Sequence, residues 1–160
     1  MPAFELRRLR HTDRERFAAL AGAYDVARCT SDIPFPFSAI EATSWIDIRP
    51  GDLRLAIVVD GELVGAVGYF LRPSGIAELG YWIGMPWWGR GLATATSRVV
   101  VDDAFRQTRI PAFSAHHFAD NPASGRILMK LGFAVMGQGR EFCRARSAAV
   151  DTVSYWLARA

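Results

Sequence analysis

The chain has 160 residues, 51% apolar and 22% charged, which is the size and composition of one globular domain (residues 1–160) whose core needs no metal or disulfide. Its formal net charge is only +3, and its basic residues are not clustered, so neither a nucleic-acid nor a membrane-surface partner is expected. No apolar run approaches the ~20 residues of a membrane span, and the first residues lack the charged-then-apolar order of a secretory signal, so the expected location is the cytoplasm. Cys29 and Cys143 have neither metal-ligand spacing nor a C-x-x-C arrangement, and two free, partly buried thiols are expected.

Residues 4–9 read as a first strand. His11-Thr12-Asp13 then starts a helix over 14–21, with Thr12 or Asp13 as its cap. Pro34-Phe35-Pro36-Phe37 makes a stiff aromatic loop, after which Ser38 caps a second helix reaching about residue 48. Residues 53–59 form a strand rich in β-branched side chains. Asp60-Gly61 is the two-residue signature of a tight hairpin, and 63–71 return as the partner strand. Arg72-Pro73-Ser74-Gly75 turns the chain again into a fourth strand, 76–84.

Trp87-Trp88-Gly89-Arg90-Gly91-Leu92-Ala93 then breaks the strand with glycines and opens into a helix to about residue 106. Its core face carries Ala93, Ser97, Val100, Val101, Ala104 and Phe105, with Arg98, Asp102 and Arg106 opposite. Residues 111–118 form a fifth strand. The next helix has Ala123, Ile127, Leu128 and Leu131 as its core face, and Gly132 ends it. Residues 133–140 and 150–157 are two closing strands, joined through Arg144-Ala145-Arg146-Ser147. The fold class is therefore α/β with a mixed, mostly antiparallel sheet.

Two short stretches carry chemistry. A strand–glycine–helix junction leaves backbone N–H groups at the positive end of a helix dipole, an arrangement suited to a phosphate or pyrophosphate. Glycine there lets backbone approach ligand closely. Asn121-Pro122-Ala123-Ser124 sets an amide and a hydroxyl three residues apart at the start of another helix. Both side chains are also good helix caps, and the glycines also suit packing. A P-loop is disfavoured, because no Lys-Ser/Thr follows the glycines.

Gly89-Arg90-Gly91-Leu92-Ala93 after a fourth strand, followed by Asn121-Pro122-Ala123-Ser124-Gly125-Arg126-Ile127-Leu128-Met129-Lys130-Leu131-Gly132-Phe133, resembles the GNAT superfamily of acetyl-CoA-dependent N-acetyltransferases. The Asn-x-x-Ser form, Glu78-Leu79-Gly80-Tyr81-Trp82-Ile83 and the Pro34-Phe35-Pro36 loop resemble its RimJ/RimL branch. The resemblance implies a seven-stranded sheet flanked by helices, with a cleft where the fourth strand splays from the fifth. It implies acetyl-CoA as co-substrate, no metal, an amine acceptor, and a monomer or homodimer.

By the same resemblance, Gly89, Arg90, Gly91, Leu92, Ala93 and Thr94 bind the pyrophosphate. Trp88, which stands where the superfamily usually has Gln or Arg, shields it or packs on the pantetheine. Backbone near Trp82, Ile83 and Gly84 polarises the acetyl carbonyl. Asn121 and Arg126 contact the cofactor. Ser124 replaces, as proton donor to the thiolate, the Tyr that many members carry where this chain has Leu128. Glu78 is the candidate base, its rival role being the ion-pair partner of an arginine. His116 and His117 are weaker candidates that should face opposite sides of their strand. Tyr81, Trp82, Trp87 and Trp88 read as core or lid packing.

The acceptor site is expected from residues 28–46 and 139–149. There Asp25, Asp32, Glu41 and Asp47 suit an ammonium, and Arg140, Arg144 and Arg146 a carboxylate. The acceptor is then a zwitterionic small molecule or a peptide N-terminus, with a polyamine or antibiotic as the alternative amine. The reading from another class is a non-catalytic acyl-CoA-binding sensor.

Overall fold

The computed structural model describes residues 1–160. Strand β1 (Glu5–Arg8) leads through a 3-10 turn (His11–Asp13) into helix α1 (Arg14–Ala21). A short helix α2 (Tyr24–Ala27), which the sequence pattern does not signal, precedes α3 (Ala39–Ile46). Ser38 starts α3 as expected: its Oγ accepts from the Glu41 amide while the Glu41 carboxylate accepts from the Ser38 amide. This reciprocal capping fixes the start of the helix, and its end comes at residue 46 rather than 48.

Strands β2 (Leu53–Val59) and β3 (Glu62–Leu71) form the predicted hairpin. Asp60 and Gly61 both have positive φ, 50° and 79°, as a primed two-residue turn demands. Then come β4 (Ala77–Ile83), a 3-10 turn (Met85–Trp87), α4 (Leu92–Gln107), β5 (Ala112–Phe118), α5 (Pro122–Lys130), β6 (Ala134–Cys143) and β7 (Ala148–Ala158). The seven strands are ordered β1-β2-β3-β4-β5-β7-β6, and only β4 and β5 are parallel. That exception follows from α4, which returns the chain to the starting end before β5 begins.

Alternation along the strands divides the core between two faces. Leu79 and Ile83 of β4 pack with Val100, Ala104 and Leu128 under α4 and α5. Trp82 faces the other way, against Phe17, Ala42 and Ile33 in the layer of α1 to α3. Two expectations need correction. Ala123 is exposed, and the helix turns Gly125 to the sheet in its place. A Cβ on Gly125 would come within 2.8 Å of His117 Nε2, so only glycine fits. The closing strands run longer than 133–140 and 150–157, leaving just residues 144–147 as their connection, and β7 lies between β5 and β6.

Between β4 and β5 the ladder is brief. Ala77 pairs with Phe113 and Glu78 with Ser114, and no further pair forms. Beyond that point the strands part, and the gap they leave positions everything described next.

Candidate active site at the gap between strands four and five

On the α4 side of the gap lies a cleft of about 420 Å³. Its wall is the turn from Trp88 to Thr94, where Gly89 and Gly91 have φ of 75° and 77°. These are left-handed values that side-chain-bearing residues adopt only with strain. The first hydrogen bond of the helical turn runs from the Ala95 amide to Gly91 O, and the backbone N–H groups of residues 89–94 have no partner within the chain. They sit at the positive end of a 16-residue helix. An anion with several oxygens is the natural partner for such a set.

Trp88 braces this turn: its indole N–H donates to Ile83 O at 2.7 Å, tying the turn to the end of β4. Arg90 is exposed and reaches only Pro86 O, at 3.2 Å. Of the residues the sequence assigns to a cofactor, Trp82, Ile83, Trp88, residues 89–94, Asn121, Ser124 and Arg126 all line the cleft. Gly84 does not. It is buried beneath Leu20 and Trp87, and its amide donates to Val64 O at 2.8 Å.

That bond also sorts the amides of β4. Stepping back by two along the antiparallel β3–β4 pair puts the amides of Trp82 and Gly80 on β3 as well. The amides of Ile83 and Tyr81 face outward, into the gap. Ile83 and Tyr81, rather than Trp82, therefore offer backbone donors there.

Tyr81 is the residue whose part the sequence reading missed. Its side chain reaches α5, where its hydroxyl meets Ser124 Oγ at 2.6 Å. Burial pushes the phenol up to about 12, against a smaller opposing effect of the Ser124 hydrogen bond, so its proton stays in place at neutral pH. Alternation was the available signal, since odd residues of β4 face α5. Neither Ser124 nor Asn121 caps its helix through its side chain. Leu128 lies in the core.

On the other side of the gap is a second cavity, of about 150 Å³. The two share Cys29, Thr30, Tyr81, Trp82 and Ser124, so they meet at the Tyr81–Ser124 hydrogen bond. Glu78 lines this second cavity and holds an ion pair with Arg72 at 2.5 Å. His116 Nδ1 is 3.9 Å from the same carboxylate, while its Nε2 meets Ser31 Oγ at 3.1 Å. His117 faces the opposite side of β5, buried, with Nε2 on the Tyr155 hydroxyl at 3.0 Å. Cys29 and Cys143 are free thiols.

Most charges expected at an acceptor are engaged elsewhere. Glu41 caps α3, and Asp47 pairs with His11 at 2.7 Å. Arg146 is held by Asp120 at 2.6 Å and by Arg28 O. Asp120 is accordingly held below the usual carboxylate range, first by the Arg146 hydrogen bond. Arg144 donates to Asp32 O, and Arg140 lies near Asp151 on the exposed hairpin. Asp25 lines neither cavity, and only Asp32 of the four acids lines the second one. The cation in that cavity is Arg54, which the sequence reading passed over. Its signal was a lone arginine within the otherwise apolar strand Leu53–Val59.

Residues 4–134 match the sequence model of the acetyltransferase (GNAT) domain. The chain is 26% identical over 158 residues to the L-amino acid N-acetyltransferase AaaT of Escherichia coli, spanning 94% of this chain and 96% of that protein. Among solved structures, Mycobacterium smegmatis RimJ in complex with CoA-disulfide is similar with a TM-score of 0.84 and 20% identity, covering 98% of this chain and 82% of that one. Spermidine N-acetyltransferase from Vibrio cholerae, in complex with CoA and spermine, is similar with a TM-score of 0.82 and 18% identity, covering 98% and 95%. Those two likenesses bear on the fold. No group of three or more His, Cys, Asp or Glu is placed to hold a metal ion, and no helix is long and apolar enough to cross a membrane.

Proposed function

This chain belongs to the acetyltransferase (GNAT) family and is an N-acetyltransferase, and from that premise we propose that it moves an acetyl group from acetyl-CoA to a primary amine by direct attack in a ternary complex. The acceptor is a small-molecule amine or a peptide N-terminus. We place the chain on the RimJ/RimL-like branch, as one cytoplasmic domain, monomeric or homodimeric. The observation that carries the reading is the junction of the two cavities at Tyr81 and Ser124, with one cavity walled by the unpaired amides of residues 89–94.

Acetyl-CoA supplies an activated acetyl thioester. The amides of residues 89–94 hold its pyrophosphate through charge-assisted hydrogen bonds, and Arg90, Arg126 and Lys130 add positive charge around the cleft. The outward amide of Ile83 stabilises the negative charge that develops on the carbonyl oxygen. Asn121, whose amide caps nothing, positions the pantetheine arm.

The Tyr81 and Ser124 hydroxyls share one hydrogen bond, and with Tyr81 as its donor the Ser124 proton would be free for the departing sulfur. A phenol near 12 is a poor acid toward a thiolate whose conjugate thiol has a pKa of about 8.5. The pair therefore acts by hydrogen bonding to the departing sulfur rather than by giving up a proton from Tyr81. Glu78, on the acceptor side, receives the amine proton directly or through a water, with His116 beside it.

Calorimetric titration with acetyl-CoA, CoA and ATP, followed by initial rates on a panel of amines, tests this. Micromolar binding of acetyl-CoA, silence toward ATP and intersecting double-reciprocal lines are expected. Parallel lines would mean an acetylated enzyme and contradict direct attack. Binding without turnover on any amine would favour the acyl-CoA sensor.

A further inference from the structure

Buried arginines are normally paired with a carboxylate, because removing a guanidinium from water is costly. Arg54, half-buried, departs from that pattern. It is withdrawn from solvent enough that burial lowers its pKa to about 10, yet it remains a cation at neutral pH. No carboxylate lies within ion-pair distance of it. Asp52 and the exposed Asp32 act on it through space without an ion pair, and the oxygens of Asp52 are taken by the Leu71 amide at 2.7 Å and Arg49 Nε at 3.1 Å. One Arg54 nitrogen donates to Trp45 O, and the guanidinium lies 4.8 Å from the Trp45 ring and 5.2 Å from that of Phe70. A guanidinium carries five N–H donors. Trp45 O is the only hydrogen-bond acceptor it finds within the chain.

The strands leave room beside it. Arg54 pairs with Gly68 on β3, and Gly68 pairs with Gly80 on β4. This cross-strand row, about 10 Å from Arg54 to Gly80 at ordinary strand spacing, carries no side chain beyond Arg54. A Cβ on Gly80 would meet nothing within 4 Å, whereas one on Gly68 would strike Leu53 O at 1.9 Å, so the open space lies at Gly80. All three residues of the row line the second cavity, as do Tyr81 and Ser124. A cation close to two rings, with donors to spare, thus shares a cavity with Gly80 and with the Tyr81–Ser124 pair where the two cavities join.

We infer that Arg54 is a carboxylate-binding residue of the acceptor site, so that the amine acetylated belongs to a compact amino acid with a free carboxylate. The inference rests on the acetyltransferase reading and narrows it. A planar guanidinium fixed by stacking matches a carboxylate with two parallel hydrogen bonds. A polyamine would bring further positive charge toward Arg54. A peptide N-terminus carries no carboxylate next to its amine.

The test compares initial rates on L-amino acids with those on the matching α-amides, on spermidine and on short peptides, beside an acetyl-CoA titration of each variant. The wild type should favour at least one acid over its amide by about a hundredfold in kcat/KM. Arg54→Gln should erase that preference through KM while acetyl-CoA still binds, and Arg54→Lys should restore part of it. An equal or reversed preference in the wild type, or in a well-bound spermidine or peptide, overturns the assignment without touching the acetyltransferase reading. An equal loss on acids and amides in Arg54→Gln makes Arg54 a structural brace and overturns it too. Should Arg54→Gln not fold, the wild-type preference and Arg54→Lys decide. Absence of acetyl-CoA binding removes both readings together.

Discussion

The two cavities that meet at Tyr81 and Ser124 are built from different materials. The larger is walled by backbone: two left-handed glycines and the free amides of residues 89–94. The smaller is defined by side chains and by their omission: Arg54, Glu78 and His116 around the bare row of Gly68 and Gly80. A site made of amides depends on chain conformation and tolerates changes of side chain. A site made of side chains can be retuned by one substitution with the fold untouched. The difference suits a transferase that keeps one donor and selects among acceptors.

Substitutions can break this contrast or sharpen it. The junction should be most sensitive. Ser124→Ala should lower kcat by about a hundredfold, the scale of losing a preorganised donor, with acetyl-CoA affinity within a few-fold by calorimetry. A collapse of acetyl-CoA binding instead would make Ser124 part of the larger cavity's wall.

Gly91→Ala probes the backbone wall. A Cβ on Gly91 would meet only Met1 Sδ, at an ordinary contact distance of 3.9 Å, so the cost comes from its φ of 77°, about 1–2 kcal/mol for a side-chain-bearing residue. Acetyl-CoA affinity should fall roughly tenfold if binding restores the native turn, and the acceptor KM should not move. Gly80→Val is its mirror. The new side chain enters open space, so the melting temperature should hold while the acceptor KM rises by about tenfold, the scale of a lost hydrophobic-pocket fit. Arg90→Ala should do least. An exposed charge with one long hydrogen bond is worth about 0–1 kcal/mol, so acetyl-CoA affinity should change by less than about fivefold. A larger loss would mean that side chains, not amides, hold the anion.

The same contrast explains what was legible in the sequence. Asp60-Gly61, the Ser38–Glu41 box and the glycines at 89 and 91 are local signals, because each residue's own backbone preference decides the outcome. The amphipathic face of α4 was readable for the same reason, although Thr96, buried and bonded to Leu92 O at 2.8 Å, escaped the apolar pattern. The insertion of β7 between β5 and β6 was not readable, since strand order depends on long-range pairing. The acceptor side fared worst. Arg144 and Arg146 look available along the chain, but Asp32 O and Asp120 take them up only after folding. Arg54 looks incidental until three strands align it with Gly68 and Gly80. Tyr81 becomes polar chemistry only where α5 brings Ser124 within 2.6 Å.

The central claim is that the backbone of residues 89–94 holds the donor, and amide NMR tests it most directly. On saturation with acetyl-CoA, the N–H resonances of residues 89–94 and of Ile83 should shift strongly, in Arg90→Ala as in the wild type, while those of Arg54 and Gly68 stay nearly still. Shifts confined to Gly68, Gly80 and their neighbours, with the 89–94 amides unmoved, would place the donor in the wrong cavity for this account and contradict it.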